Sequence, residues 1–199
     1  MIAARFVRAS TLAAALSLSL AGGAARAEGG TIKGKVESTP PKYLPETVVY
    51  LKDVPGTYAP KTHVMDQSNM QFVPHVLTAT VGDTVKFENH DHLVHNVYSP
   101  DVDAYNLGSF KENEERSHTF KKAGAYTQLC SVHPEMLGYV FVGQNPYSAV
   151  VDKTGAYEIK NVPPGTYKLA VWNSKLKAPD KTVTVASGAQ VVENLSIKR

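Results

Sequence analysis

Apolar residues along the last third of the chain recur at every second position. Tyr167, Leu169 and Val171 alternate with polar neighbours, Val183 and Val185 repeat the period, and so do Leu195 and Ile197. A period of two places alternate side chains on one face, so this tail is expected to form short antiparallel strands with one buried face. Ala149–Ile159 reads as strand, Asp/Gly turn and strand, and Asn161–Trp172 as turn and strand. Two further strand-like runs lie near the other end, Thr31–Val36 and Thr47–Leu51. The expected fold class is all-β. Between them, Val94–Tyr98 has strong strand propensity, whereas the polar, acid-rich stretch Asp101–Glu115 reads as a surface loop.

The first 27 residues break this pattern. Arg5 and Arg8 precede an apolar stretch from Thr11 to Ala21, and Ala25-Arg26-Ala27 supplies small residues before a cut. This is the layout of a cleavable secretory signal, and the apolar stretch is shorter than the roughly 20 residues a spanning helix needs. The expectation is a mature chain from Glu28, periplasmic, with no membrane span. Removal of the signal changes the charge picture. The full chain carries 21 Lys+Arg against 18 Asp+Glu, but Arg5, Arg8 and Arg26 leave with the signal, so the balance becomes 18 to 18. With no net basic character, nucleic-acid binding has no electrostatic footprint.

Against that neutral background stands the run Cys130-Ser131-Val132-His133-Pro134-Glu135-Met136, which holds the chain's one cysteine. Thiolate, imidazole and thioether at spacings of three can converge if the loop folds back. His95, in a strand-like context, supplies a second imidazole. Two His nitrogens, one Cys sulfur and a weak axial Met form the ligand set of blue-copper electron-transfer sites, where soft sulfur suits Cu(I) and imidazole suits either state. Zinc sites use four strong ligands, or three plus water, and have no use for Met136. A Cys/His nucleophile pair would not require the methionine either, and the bland alternative, a buried structural cysteine with an unrelated surface histidine, is outweighed by how well the spacing matches a copper loop. A single free thiol in an oxidising compartment also calls for an occupant, and metal ligation is one.

The segment from about Met70 to Val142 resembles a cupredoxin, and its Cys-x-x-His-Pro-x-Met loop is similar to that of amicyanin, the short-loop relative of plastocyanin. Thr80–Asn89 resembles the strand, Gly turn and strand ahead of the first copper histidine in that family, and His95-Asn96-Val97 resembles the His-Asn-Val that follows. The resemblance implies His95, Cys130, His133 and Met136 as copper ligands, one copper per chain. It implies Asn96 as the residue tying the histidine loop to the cysteine loop. Pro134 matches a position where proline recurs in such loops and, lacking an N–H, cannot donate a backbone bond to sulfur. His90 and His92 compete with His95 for the first ligand position, but neither is followed by Asn-Val, and Asn89–His92 reads as an exposed turn. His63, Met65, Met70 and His75 could form a secondary Cu(I) site, or be core methionines and surface histidines.

The tail resembles the carboxypeptidase regulatory-like, transthyretin-type sandwich, in which Asp-x-x-Gly-x-Tyr leads into Val-Pro-Pro-Gly-x-Tyr, here Asp152–Tyr157 and Val162–Tyr167. That family opens with two strands which the tail lacks and which Thr31–Val36 and Thr47–Leu51 can supply. Fewer than about 60 residues struggle to build a core alone. The expected organisation is therefore a signal at 1–27, a discontinuous sandwich from 28–55 plus 146–199, and a cupredoxin at 56–145 inserted in a surface loop with few contacts across the boundary. One sheet shared by both parts is the alternative. The function implied is single-electron carriage between redox partners, a periplasmic redox protein or cytochrome, without catalysis. The alternatives are a copper-delivery or storage protein, a small copper enzyme, and a ligand-binding sandwich whose cupredoxin has lost its metal.

Overall fold

The computed structural model describes residues 28–199; the signal segment expected at 1–27 lies outside the described residues. Seventeen strands and one 3-10 helix follow in order: β1 (Gly30–Thr39), the helix (Pro41–Glu46), β2 (Thr47–Lys52), β3 (Thr62–Ser68), β4 (Gln71–Val73), β5 (Val76–Thr80), β6 (Thr84–Asn89), β7 (His95–Ser99), β8 (Tyr105–Phe110), β9 (Glu115–Thr119), β10 (Gly124–Leu129), β11 (Leu137–Gly143), β12 (Ser148–Val150), β13 (Ala156–Val162), β14 (Gly165–Asn173), β15 (Lys181–Val185), β16 (Gln190–Val192) and β17 (Leu195–Lys198). Among the described residues, no helix is long and apolar enough to cross a membrane.

The strands form four sheets. The first runs β13-β1-β16 with β17 on the second half of β1, and the second runs β12-β2-β14-β15. The third has the order β5-β11-β10-β7-β8, and the fourth β4-β3-β6-β9. Strands β1 and β2 pair only with β12 to β17, and β3 to β11 pair only with one another. No sheet is shared between the two sets.

Alternation sets where the cores sit. In β2, Val49 and Leu51 point into a core with Ile32, Val36, Ile159, Leu169, Val183 and Ile197, which fills the space between the first two sheets. Met65, Phe72, Val85, Phe87, Phe120, Tyr126 and Val140 fill the space between the third and fourth. A third cluster lies between these two sandwiches. Val48, Tyr50 and Trp172 present the opposite faces of β2 and β14 to Val76, Tyr139 and Phe141 of the third sheet. Ring centroids are 4.7 Å apart for Tyr50–Phe141 and 5.3 Å for Tyr139–Trp172. The molecule is thus a stack of four sheets with three apolar layers.

Two sequence expectations need correction. The tail was expected to bury one face, with few contacts across the boundary, but β2 and β14 bury both faces because the inserted sandwich lies against them. Even the crossing points are pinned: Asn145, buried, donates from Nδ2 to the Leu51 carbonyl at 2.9 Å, and Tyr58 donates to Val54 O at 3.1 Å. Asp101–Glu115 is not a loop either. It contains β8, which pairs antiparallel with β7 and buries Phe110. Its apolar residues, Tyr105, Leu107 and Phe110, are spaced around a Gly108 at φ +74°, and this break in the period hides the strand.

Candidate metal centre

Cys130 lies just beyond the end of β10 and Met136 just before β11, so the loop between two neighbouring antiparallel strands carries three of the four expected ligands. The loop folds back on itself through a bond from the Met136 N–H to the His133 carbonyl at 3.0 Å. His95 opens β7, which pairs with β10, and this brings the fourth residue to the same end. Cys130, His95 and Met136 are buried, at 2%, 0% and 1% exposure, while His133 reaches the surface in part.

The donor atoms converge. The Nδ1 atoms of His95 and His133 are 3.0 Å apart, and Cys130 Sγ lies 4.0 Å from His95 Nδ1. Among the described residues, His95, Cys130 and His133 are the group of metal-binding side chains whose ligand atoms all lie within 4.8 Å of one another. Met136 packs in the same buried cluster as Cys130. One cysteine sulfur, two imidazoles and a thioether in a largely buried cluster match what copper prefers in both oxidation states, so the residues present fit the metal.

Their surroundings fix them. The Asn96 N–H points at Cys130 Sγ at 3.3 Å, and the Asn96 side chain accepts the Ser131 N–H at 3.2 Å while donating to Asn106 Oδ1 at 2.9 Å. Asn96 therefore bridges the start of β7 and the cysteine loop. Pro134 is exposed on the ligand loop and leaves the sulfur with the Asn96 N–H.

Asp91 was missed by sequence reasoning. Its Oδ2 meets His95 Nε2 at 2.9 Å and the Met70 N–H at 2.7 Å, and its Oδ1 accepts the Asn69 N–H at 3.0 Å. A carboxylate at Nε2 requires the proton there, which leaves the Nδ1 lone pair facing Cys130 and His133. Asn69 and Met70, at φ +53° and +55°, form the two-residue turn between β3 and β4; both positions are left-handed, and Asp91 offsets that cost by taking both N–H groups. Burial works to raise the Asp91 pKa, but the Met70, His95 and Asn69 hydrogen bonds together hold it below the usual carboxylate value. Asn89 stiffens the same loop, accepting from Asp91 N and donating to the carbonyls of Leu93 and Phe110. The one sequence signal for Asp91 is an acid four residues before a ligand histidine, too common to single it out.

The remaining candidates do not assemble. His90 is bound to Asp66 at 2.9 Å and His92 to Glu112 at 2.8 Å, both at the surface. Met65 is a core residue of β3, and Met70 is exposed at the turn. His63 is held by Asp83 at 2.8 Å, and His75 stands 3.8 Å from Glu46 at the contact between the sandwiches.

Comparison with known proteins agrees with this geometry. A family model described as copper binding proteins, plastocyanin/azurin family, matches residues 59–143. A second, described as polysaccharide lyase family 4, domain II, matches residues 122–192. It begins among strands that pair inside the copper-binding part and omits β1 and β2. None of the curated proteins matches the chain. Among solved structures, a mutant of amicyanin in its reduced state is 33% identical, covering 41% of this chain and 81% of that one, with a TM-score of 0.39. A purple cupredoxin from Nitrosopumilus maritimus is 26% identical over 40% of this chain and 98% of that one, TM-score 0.38. A copper-containing nitrite reductase from Thermus scotoductus is 29% identical, covering 41% of this chain but 22% of that one, TM-score 0.39. Through its residues 59–143 the chain belongs to the plastocyanin/azurin family of copper-binding proteins, and that segment is a cupredoxin domain.

Proposed function

We propose that this protein is a periplasmic single-electron carrier whose type 1 copper is held by His95, Cys130, His133 and Met136, in a cupredoxin spanning residues 56–145 nested within a sandwich of residues 28–55 and 146–199. The observation that carries the proposal is the buried thiol of Cys130, facing the Asn96 N–H and two converging imidazole nitrogens. Copper bound there would gain and lose one electron as Cu(II)/Cu(I). The chain's part is to keep its donors still. Asp91 sets the His95 tautomer, Asn96 ties the cysteine loop to β7, and Asn89 prevents the 89–95 loop from relaxing. Burial of Cys130 and Met136 excludes water and leaves no coordination position for a substrate, which favours a carrier over a catalyst. His133, half-buried on an exposed loop, is the ligand nearest to solvent and the port for the electron.

Voltammetry of the copper-loaded protein tests this reading together with chelator challenge in both oxidation states. A carrier gives a reversible one-electron wave and keeps its metal. Ready loss of copper to the chelator from either state would indicate delivery or storage instead. The compartment is tested by the intact mass of protein recovered from the periplasm, with cleavage after Ala27 as the expected result.

A further inference from the structure

Strand β11 has two faces, and each belongs to a different part of the molecule. Val140 and Val142 share the copper-binding core with Met136, the residue just before the strand. The alternate residues, Leu137, Tyr139 and Phe141, lie in the apolar layer against Val48, Tyr50 and Trp172 of the other sandwich. The strand that leaves the ligand loop at Met136 is thus gripped from behind by the sandwich of residues 28–55 and 146–199.

The grip centres on Tyr139, buried three residues beyond Met136. Its N–H donates to the His75 carbonyl at 2.8 Å, which fixes the backbone. Its ring meets the Trp172 ring at 5.3 Å and the His75 ring at 5.5 Å, both edge to face. The hydroxyl is hydrogen-bonded to Ser174, and because Ser174 gives its own proton to the Glu46 carboxylate, the tyrosine is the donor. Glu46 ends the 3-10 helix and Ser174 follows β14, so both belong to the other sandwich. The copper side of the strand has no slack to absorb a shift: a Cβ at Gly138 would stand 2.8 Å from the Phe72 Cβ.

Met136 differs from Cys130 and His95 in what holds it. Those two face the Asn96 N–H and the Asp91 carboxylate, whereas Met136 is restrained by one backbone bond to His133 and by packing. An axial thioether is a weak, long ligand, so the bond to copper does not position the sulfur and the scaffold must. We infer that the second sandwich positions the axial ligand: Trp172, Ser174 and Glu46 hold Tyr139, Tyr139 fixes the start of β11, and that start sets where the Met136 sulfur stands. The inference rests on the four-ligand reading above and gives the second sandwich a part in the same site, that of tuning its reduction potential. Tyr139 and Trp172 are positioning residues, since they act through Met136. When the grip is lost the weakest of the four bonds is the first to lengthen, and the potential moves upward, toward that of a site without its thioether.

Voltammetry of the copper-loaded protein tests this in Trp172→Ala, Trp172→Phe, Tyr139→Phe, Met136→Leu and the double variant of Trp172→Ala with Met136→Leu. Trp172→Ala should favour Cu(I) over Cu(II) by about tenfold, a rise of about 59 mV for one electron. Tyr139→Phe, which loses only the hydroxyl, should move the potential the same way by less, and Trp172→Phe, which keeps a ring in the layer, should restore the parent value. In the Met136→Leu background Trp172→Ala should add nothing, because the ligand it acts through is gone. Val183→Ala, which weakens the same sandwich from within its own core, should leave the potential unchanged. In the copper-free protein the Met136 N–H should exchange with solvent about tenfold faster in Trp172→Ala than in the parent. An unchanged potential or unchanged exchange in Trp172→Ala, an equal rise in Val183→Ala, or an equal rise with Met136 already replaced would overturn the inference. Where Trp172→Ala does not fold, Tyr139→Phe decides alone, by its rise or by the lack of one. If Met136→Leu by itself leaves the potential where it was, Met136 is not the axial ligand, and the four-ligand reading fails first and takes this inference with it.

Discussion

Two of the proposed donors are held by a second residue, His95 by Asp91 and Cys130 by Asn96, and such contacts make sharp predictions. Asp91→Asn keeps the size of the side chain but removes the charge that fixes the Nε2 proton of His95. Copper affinity should fall by about 10–100-fold in chelator competition while the far-ultraviolet spectrum stays unchanged. Met136→Leu should retain copper and colour but raise the reduction potential, because a weak axial thioether stabilises Cu(II) more than a hydrocarbon does. The four proposed ligands can be picked out in the sequence because their types and spacing are distinctive. Asp91 and Asn89 cannot, since a carboxylate hydrogen bond across a loop leaves no period and no motif. Asn96 was legible only through its place directly after the histidine.

At the scale of elements, the Gly82 turn between β5 and β6 is held by Asp83, which is 3% exposed and accepts from Lys61 N at 2.7 Å, Thr80 N at 2.9 Å and His63 Nε2 at 2.8 Å. Burial works to raise the Asp83 pKa, but the His63 hydrogen bond and the two backbone N–H groups more than compensate and leave it lowered. A carboxylate with a depressed folded pKa contributes stability above its unfolded pKa, about 3.9, and loses it as pH falls toward the folded value. Asp83→Asn should therefore cost about 2 kcal/mol at pH 7, and the gap to the parent should close below roughly pH 4 in urea unfolding. Sequence pattern found the strands of the tail because they alternate cleanly. It failed at β8, where Gly108 and the polar residues of an edge strand break the period. It also misjudged β14, because Trp172 on the second face of a strand reads as an isolated aromatic until its partners Tyr139 and Phe141 are in place.

Across the whole molecule, the apolar layer between the two sandwiches couples them. Separating them would expose Val48, Tyr50, Trp172, Val76, Tyr139 and Phe141, all packed in one cluster. The intact protein should accordingly melt in a single transition, and Trp172→Ala should lower its stability by about 2–3 kcal/mol, less than for a fully buried tryptophan because the ring is part-exposed. Two separate calorimetric transitions would show that the layer contributes little. The pairing of β1 and β2 with the tail was legible from the tail's missing strands, but the contact between the sandwiches was not, since nothing in a single strand's pattern announces a partner on its outer face. The central claim remains the metal itself. Its most direct test is the visible absorption and paramagnetic resonance of the mature protein titrated with Cu(II), beside Cys130→Ala. The account predicts an intense thiolate-to-copper band that saturates at one copper per chain and vanishes in the variant. Colourless or weakly coloured copper in the parent, or colour that survives the loss of Cys130, would contradict it.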